Sequence, residues 1–252
     1  MKKILKILVV FFLLSGISCK EPLKVRSSDF QRIAIDNSIQ KDEDLEELIS
    51  PYRNKIKDEM EKPLAYNTKT MFKTDTPFNT AIGNMMADAV LEMANPVFQN
   101  RHQKQIDAVL LNYGGIRAGI GKGMVTTRTA YDIMPFENMV VIAELDGQQM
   151  KALIVYLSQS SKAQPIANMK LKFDANGEPL IQTINGKAFD VNKTYYVATS
   201  DYLVEGGDNM DFFLKANNTY DIDYKLRNLF IDYFAKQDTI DYTSDDRLLK
   251  LN

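Results

Sequence analysis

Two short segments carry side chains suited to holding a flat, oxygen-rich ligand. The first is Asn112-Tyr113-Gly114-Gly115-Ile116-Arg117. The second is Asp201-Tyr202-Leu203-Val204-Glu205-Gly206-Gly207-Asp208. Paired glycines let the backbone reach conformations that a Cβ forbids and let it approach a ligand closely. Arg117 offers a planar fork that matches phosphate or vicinal oxygens. The Asn112 amide can both donate and accept, and ionised Asp208 only accepts, which suits a sugar diol. Tyr202 lies just upstream of Asp208, with Gly206-Gly207 turning the chain between them. Phe136 sits in Met134-Pro135-Phe136-Glu137-Asn138, where Pro135 stiffens the approach. Two aromatic faces around a flat base would contribute about 1–3 kcal/mol each by stacking. On residue type alone, both rings read better as core residues, and Gly114-Gly115 reads equally as a plain tight turn.

Catalytic machinery is harder to find. The chain has one histidine, His102, which reads as a solvated residue in the loop Gln99-Asn100-Arg101-His102-Gln103. A dinuclear metal site needs several imidazoles and carboxylates converging on ions roughly 3.5–4 Å apart, and one histidine cannot supply them. No serine, cysteine or threonine has a histidine base at hand. Asp42-Glu43-Asp44 suits a helix N-terminus. Asp232, Asp238, Asp241 and Asp245-Asp246 read as solvated faces and turns. The expectation is therefore no catalytic residue and no metal ligand in this chain.

The elements that must position these segments are legible in outline. Phe30 to Ile35 alternates like a short strand. Asp42-Glu43-Asp44 opens a helix through Leu45, Leu48 and Ile49, and Pro51 starts a second helical segment through Glu61. Leu64 to Phe72 reads as a strand. Thr80 to Phe98 is the strongest helical pattern, with Ile82, Met85, Met86, Ala89, Val90 and Met93 at helical spacing. Its methionines read as core filler. Ile106 to Leu111 is a buried strand that runs into the first glycine segment, a usual place for a ligand-facing loop. Thr126 or Thr127 caps a short helix. Val140 to Leu145 is a strand, and Asp146 caps the helix Gln148 to Leu157. Strands Lys170–Asp174, Leu180–Ile184 and Tyr195–Thr199 follow, punctuated by the turn signals Asn176-Gly177 and Asn185-Gly186. A last helix spans Ile222 to Ala235, and Arg247 to Leu251 adds an edge strand. Strands and helices alternate irregularly, which predicts an α+β domain with a mixed sheet and flanking helices.

The N-terminus reads as a targeting segment. Lys2, Lys3 and Lys6 precede an apolar run from Ile7 to Leu14 that is too short to span a bilayer. Ser15-Gly16-Ile17-Ser18-Cys19 ends in the only cysteine, which resembles a bacterial lipoprotein signal. Residues 1–19 are then a signal peptide with Cys19 lipidated, 20–41 a tether and short strand, and 42–252 the folded domain. Lipid chains on Cys19 would hold the chain to a membrane of the cell envelope, on the periplasmic side or at the surface. Setting aside the three leader lysines makes the formal net charge of −2 three units more negative. No lysine/arginine block remains elsewhere, which argues against nucleic acid as a partner.

Four segments in order, namely Asn112 to Arg117, Met134-Pro135-Phe136, Leu145-Asp146-Gly147-Gln148-Gln149-Met150 and Asp201 to Asp208, resemble the C-terminal domain of the 5′-nucleotidase family. Asp44 to Val90, including Ile82-Gly83-Asn84-Met85-Met86-Ala87-Asp88-Ala89, is similar as well. The resemblance implies a nucleotide-binding domain that serves a separate metallophosphatase domain holding two metal ions. It implies that Phe136 and Tyr202 sandwich the base. Asp208 and Arg117 would contact the ribose or neighbouring phosphate, with Asn112 near the base. Gly114, Gly115, Gly206 and Gly207 complete the expected site. Phe78 stands where the family often has an arginine. The resulting expectation is the nucleotide- or nucleoside-recognising half of a phosphoester hydrolase, acting in nucleotide catabolism with a separate metallophosphatase chain. That partner would carry the divalent metals, and this chain would not be catalytic alone. A non-catalytic nucleoside- or nucleotide-binding surface lipoprotein is the alternative.

Overall fold

The structure is a computed structural model that describes residue 25, residues 27–36 and residues 38–251. The expected signal peptide and Cys19 lie outside the described residues. The chain divides into two compact units, Met1–Leu48 and Ile49–Asn252. In the first unit, Phe30 to Ile35 forms no strand, contrary to the alternating pattern. Phe30 and Ile35 are solvent-exposed, and a run with no strand partner among the described residues cannot satisfy its backbone as a strand. Helix α1 (Glu43–Met60) starts on Glu43, Asp44 and Glu46 and runs through Pro51 without a break. Two helical segments were expected here. None of its residues is buried, so the carbonyl that the proline ring leaves without a donor can be hydrated.

The larger unit is built around a five-stranded sheet of order β10-β4-β9-β2-β5. Its strands are β2 (Ala108–Leu110), β4 (Met139–Leu145), β5 (Ile166–Ala167), β9 (Tyr195–Ser200) and β10 (Asn218–Lys225). β9 runs parallel to β2, whereas β4 is antiparallel to β9 and β10 is antiparallel to β4. Strand side chains alternate between faces, and both faces are covered. Val109, Val140, Ile142 and Ala198 join one core with helices α2 (Ala81–His102) and α5 (Leu226–Lys236). Leu110, Ala143, Leu145 and Val197 join a second core with helix α4 (Gly147–Gln159) and a four-stranded sheet. That sheet has the order β12-β6-β7-β8, from β6 (Met169–Phe173), β7 (Pro179–Ile184), β8 (Lys187–Ala188) and β12 (Leu248–Lys250). Burial on both sides explains the near-continuous apolar run of β4. A third sheet, β11-β1-β3, joins β1 (Pro63–Asn67), β3 (Gly123–Thr126) and β11 (Thr239–Ile240), and α3 (Thr127–Ile133) follows β3.

Caps and side-chain ties set the element ends. The Asp146 carboxylate accepts from the N–H groups of Gln148 and Gln149, both at 2.9 Å, at the start of α4. The Thr80 hydroxyl accepts from Gly83 N at 3.2 Å at the start of α2. Asn84 is buried rather than ligand-facing. It exchanges amide hydrogen bonds with Asn79 at 2.6 and 3.0 Å and donates to Thr243 O at 3.0 Å, tying α2 to the C-terminal segment. Arg247 clamps Asp88 on α2 with two bonds at 2.8 and 3.0 Å.

Three other expectations change. The strand expected over Leu64 to Phe72 stops at Asn67, leaving only an isolated pairing of Met71 with Ile120. Residues 222–225, expected in the last helix, belong to β10. The three positions 223–225 carry Asp223 at φ 52° and a register shift against β4, an irregularity that masks the strand pattern. His102 is not in a solvated loop. It is the last residue of α2, packed between Phe98 (ring centroids 5.2 Å apart) and Tyr220 (4.8 Å).

Candidate functional site

The sheet's topology brings three distant loops to one edge. Because β2 and β9 are parallel neighbours, their C-terminal ends lie side by side. Because β4 is antiparallel to β9, its N-terminal end lies there too, with Val140 opposite Ser200. The segment after β2 carries Asn112 to Arg117. The one after β9 carries Tyr202 to Asp208, and the one before β4 carries Phe136 to Asn138. Together they enclose a cleft of about 330 Å³ lined by Asn112, Gly114, Gly115, Arg117, Phe136, Asn138, Tyr202 and Asp208.

Asp208 organises one wall. Its Oδ2 accepts from Asn112 Nδ2 at 2.6 Å and its Oδ1 accepts from Tyr202 Oη at 3.0 Å. A carboxylate has about four lone-pair sites, so each oxygen keeps one for a further donor. The Asp208 backbone sits in the left-handed region at φ 53°, ψ 28°, which is costly for a residue with a Cβ. Tyr156 on α4 steadies it by donating its hydroxyl to Asp208 O at 3.1 Å. Burial, and secondarily the charge of Asp208, raise the Tyr156 pKa, so the hydroxyl stays protonated and able to donate.

The aromatic walls are open. Phe136 is 40% and Tyr202 45% exposed, whereas the large core rings Phe98, Phe230 and Phe234 are fully buried. The two rings are therefore not core residues. Arg117 is exposed, with its guanidinium 5.6 Å from the Phe136 ring centroid and only a long contact to Gly114 O at 3.5 Å. Its donors remain largely free for a ligand.

Buried Arg227 fixes the Phe136 turn from behind. Its guanidinium donates to Pro135 O at 3.1 Å and Phe136 O at 3.2 Å, pairs with Glu137, and lies 4.2 Å over the Tyr131 ring. Glu137 also pairs with Lys225. The hydrogen bonds from Lys225 and then Arg227 push the Glu137 pKa down to about 2. Gln164 holds the first glycine segment by accepting from Tyr113 N at 2.7 Å.

The glycines divide into two roles. Gly114 and Gly115 line the cleft, and a Cβ on Gly115 would fall 2.7 Å from Asn112 Oδ1. Gly206 and Gly207, expected to touch a ligand, are not lining residues. Gly206 turns the chain at φ 87°, and a Cβ on Gly207 would lie 2.5 Å from the Tyr202 ring. They shape the wall rather than form it. Sequence reasoning missed Asn138, Tyr156 and Arg227. Asn138 could have been found as the last polar residue before the apolar run of β4; the other two carry no local signal. Phe78 packs against the second core beneath Lys250, away from the lining. Among the described residues, no three His, Cys, Asp or Glu side chains group so as to hold a metal ion.

The fold and its cleft define an α+β domain with a loop-built pocket at one edge of a mixed sheet. The family model described as 5′-nucleotidase, C-terminal domain, matches residues 63–215, and the chain belongs to that family. It is 25% identical over 234 residues to the trifunctional nucleotide phosphoesterase protein YfkN of Bacillus subtilis, covering 86% of this chain and 16% of that protein. It is 23% identical to protein UshA of Yersinia enterocolitica, covering 93% of this chain and 42% of that one. The 5′-nucleotidase precursor of Thermus thermophilus superposes with a TM-score of 0.68 at 22% identity, over 82% of this chain and 43% of that one. The chain thus spans less than half the length of these relatives.

Proposed function

We propose that this domain is the nucleotide- or nucleoside-recognising half of a 5′-nucleotidase-type phosphoester hydrolase. In this reading a base stacks between Phe136 and Tyr202, and Asp208 accepts from the ribose hydroxyls. Asn112 and Asn138 offer amides to ring or sugar atoms, and Arg117 takes the phosphate side. One observation carries the reading: an acceptor, an amide, a free guanidinium and two open rings, from three distant segments, line a single cleft. The names of relatives such as a nucleotide phosphoesterase point the same way.

The metal-dependent cleavage belongs to a metallophosphatase partner, and this chain's own residues bind and orient. The leader pattern ending in Cys19 supports a lipid-anchored position in the bacterial cell envelope. Replacement of Cys19 by alanine should abolish incorporation of labelled palmitate.

The test of the main reading is calorimetry with adenosine and adenosine monophosphate, followed by a phosphatase assay with a stand-alone metallophosphatase of the same organism. Binding together with activity above that of the partner alone supports the half-enzyme. Absence of binding sinks it. The cleft lining has one cation, Arg117, beside one carboxylate, a balance that also suits an uncharged nucleoside. Binding without any gain in activity would favour simple capture.

A further inference from the structure

Helix α1 carries an apolar stripe that the rest of the described chain does not cover. Leu45, Leu48, Ile49, Tyr52 and Ile56 are 41% to 69% exposed, and none of the 18 residues of α1 is buried. The five fall on one side of the helix, because positions three and four apart are neighbours on its surface. Most helical stability in proteins comes from packing such a face rather than from propensity, and α1 also contains Pro51. One exposed apolar side chain needs no explanation, but a contiguous stripe of five marks an interaction surface.

Spacing and charge select the occupant. Leu45, Ile49, Tyr52 and Ile56 are four, three and four residues apart, the alternation of a coiled-coil seam. Charge then sets the direction. The first two turns hold Glu43, Asp44, Glu46 and Glu47 with no base, whereas Arg53, Lys55 and Lys57 follow with no acid among them. Two copies lying parallel would set acids beside acids and bases beside bases, which is unfavourable. Head to tail, the acidic turns of each copy lie beside the basic stretch of the other. The same arrangement faces Leu45 of one copy with Ile56 of the other, and Ile49 with Tyr52. The stripe then closes on itself, as the isologous contact of a two-fold dimer requires. A membrane fits less well. Helices that lie on anionic lipid carry lysine and arginine on the polar face, and α1 has six acids against three bases.

We propose that α1 is a self-association element through which two copies of this chain pair as antiparallel helices. No residue lining the cleft lies on α1, and the inference does not rest on the function proposed above. Pairing covers the apolar stripe, matches the two charged halves of the helix and leaves the cleft residues out of the contact.

The test uses the full chain in detergent with Cys19→Ala, so that no native thiol remains. Sedimentation equilibrium should show a protein dimer. I49D/Y52D should return it to monomer with the melting temperature of the domain unchanged, because neither side chain is buried. K55E/K57E, which makes the basic stretch acidic, should weaken association about tenfold. Disulfide mapping reads the direction. In an antiparallel pair the two copies of position 45 lie about 16 Å apart along the axis, at 1.5 Å per residue, beyond the reach of a disulfide. L45C and I56C should therefore stay uncross-linked when each is oxidised alone and give a mixed cross-linked dimer when combined. A chain that stays monomeric at micromolar concentration would overturn the proposal. So would L45C cross-linking to itself, the mark of a parallel pair, or a dimer that survives I49D/Y52D unchanged, which would place the contact elsewhere.

Discussion

The Asn112 amide donates to the Asp208 carboxylate at 2.6 Å, joining residues 96 positions apart in the chain. That bond locks the loop after β2 to the loop after β9. The tyrosine wall is part of the same lock, since Tyr202 Oη holds the other carboxylate oxygen at 3.0 Å. The group proposed to read the sugar and the ring proposed to stack on the base are therefore set as one unit.

Asp208→Asn should keep the left-handed backbone, which asparagine tolerates, while removing the charge that accepts from a diol. We expect nucleoside affinity to fall by about 1–3 kcal/mol, read by calorimetry, with the melting temperature little changed. Unaltered affinity would leave Asp208 a purely structural residue.

Arg117→Ala removes an exposed side chain with only one long internal hydrogen bond. Stability should stay within about 0.5 kcal/mol of the wild type. Affinity for adenosine monophosphate should drop by about 1.5–3 kcal/mol, the range for a hydrogen bond to a charged group. Adenosine should be affected less. A variant that loses both ligands equally would argue that Arg117 acts by packing on Phe136.

Gly207→Ala places a methyl 2.5 Å from the Tyr202 ring and 2.6 Å from Tyr202 O. The ring or the turn must move. Overpacking of this kind costs about 1–3 kcal/mol, and ligand affinity should fall with it. Thermal melts and calorimetry read the two effects; a silent substitution would show that the Tyr202 wall is not held by this contact.

Arg227→Ala leaves the carbonyls of Pro135 and Phe136 without their donor and uncovers the Tyr131 ring. Loss of these bonds should destabilise the domain by about 1–3 kcal/mol. It should also weaken nucleoside binding, although Arg227 does not line the cleft. Chemical denaturation and calorimetry check both; unchanged binding would uncouple the turn from the site.

Glu137 supplies a pH test. Its folded-state pKa is depressed from the ordinary 4.5 to about 2, first by Lys225 and then by Arg227. Its contribution to stability is therefore present above pH 4.5 and is lost as pH falls from there through about 2. The melting-temperature gap between the wild type and Glu137→Gln should be steady near neutrality and shrink across that window. Glu137 itself is exposed, so added salt should narrow the gap too. A gap that widens on acidification would contradict the assignment.

Much of this protein was legible locally. The apolar period of α2, the Asp146 cap, the alternation of β6, the glycine turns on either side of β7, and the two glycine segments are near-neighbour effects. Side-chain spacing and backbone sterics write them directly into adjacent residues. The α+β class follows from their irregular order. Where local pattern failed, the reason is equally physical. The irregular end of β10 disguised a strand as the start of a helix, and α1 ran through Pro51 because nothing buries it. Tyr156 and Arg227 were invisible because their partners, the backbone of Asp208 and of Pro135 and Phe136, are remote in sequence. Only the tertiary structure decided that the loops after β2 and β9 and the turn before β4 share one edge. That depends on which strands pair and in which direction, and pairing between residues some fifty to ninety positions apart leaves no trace in either segment alone.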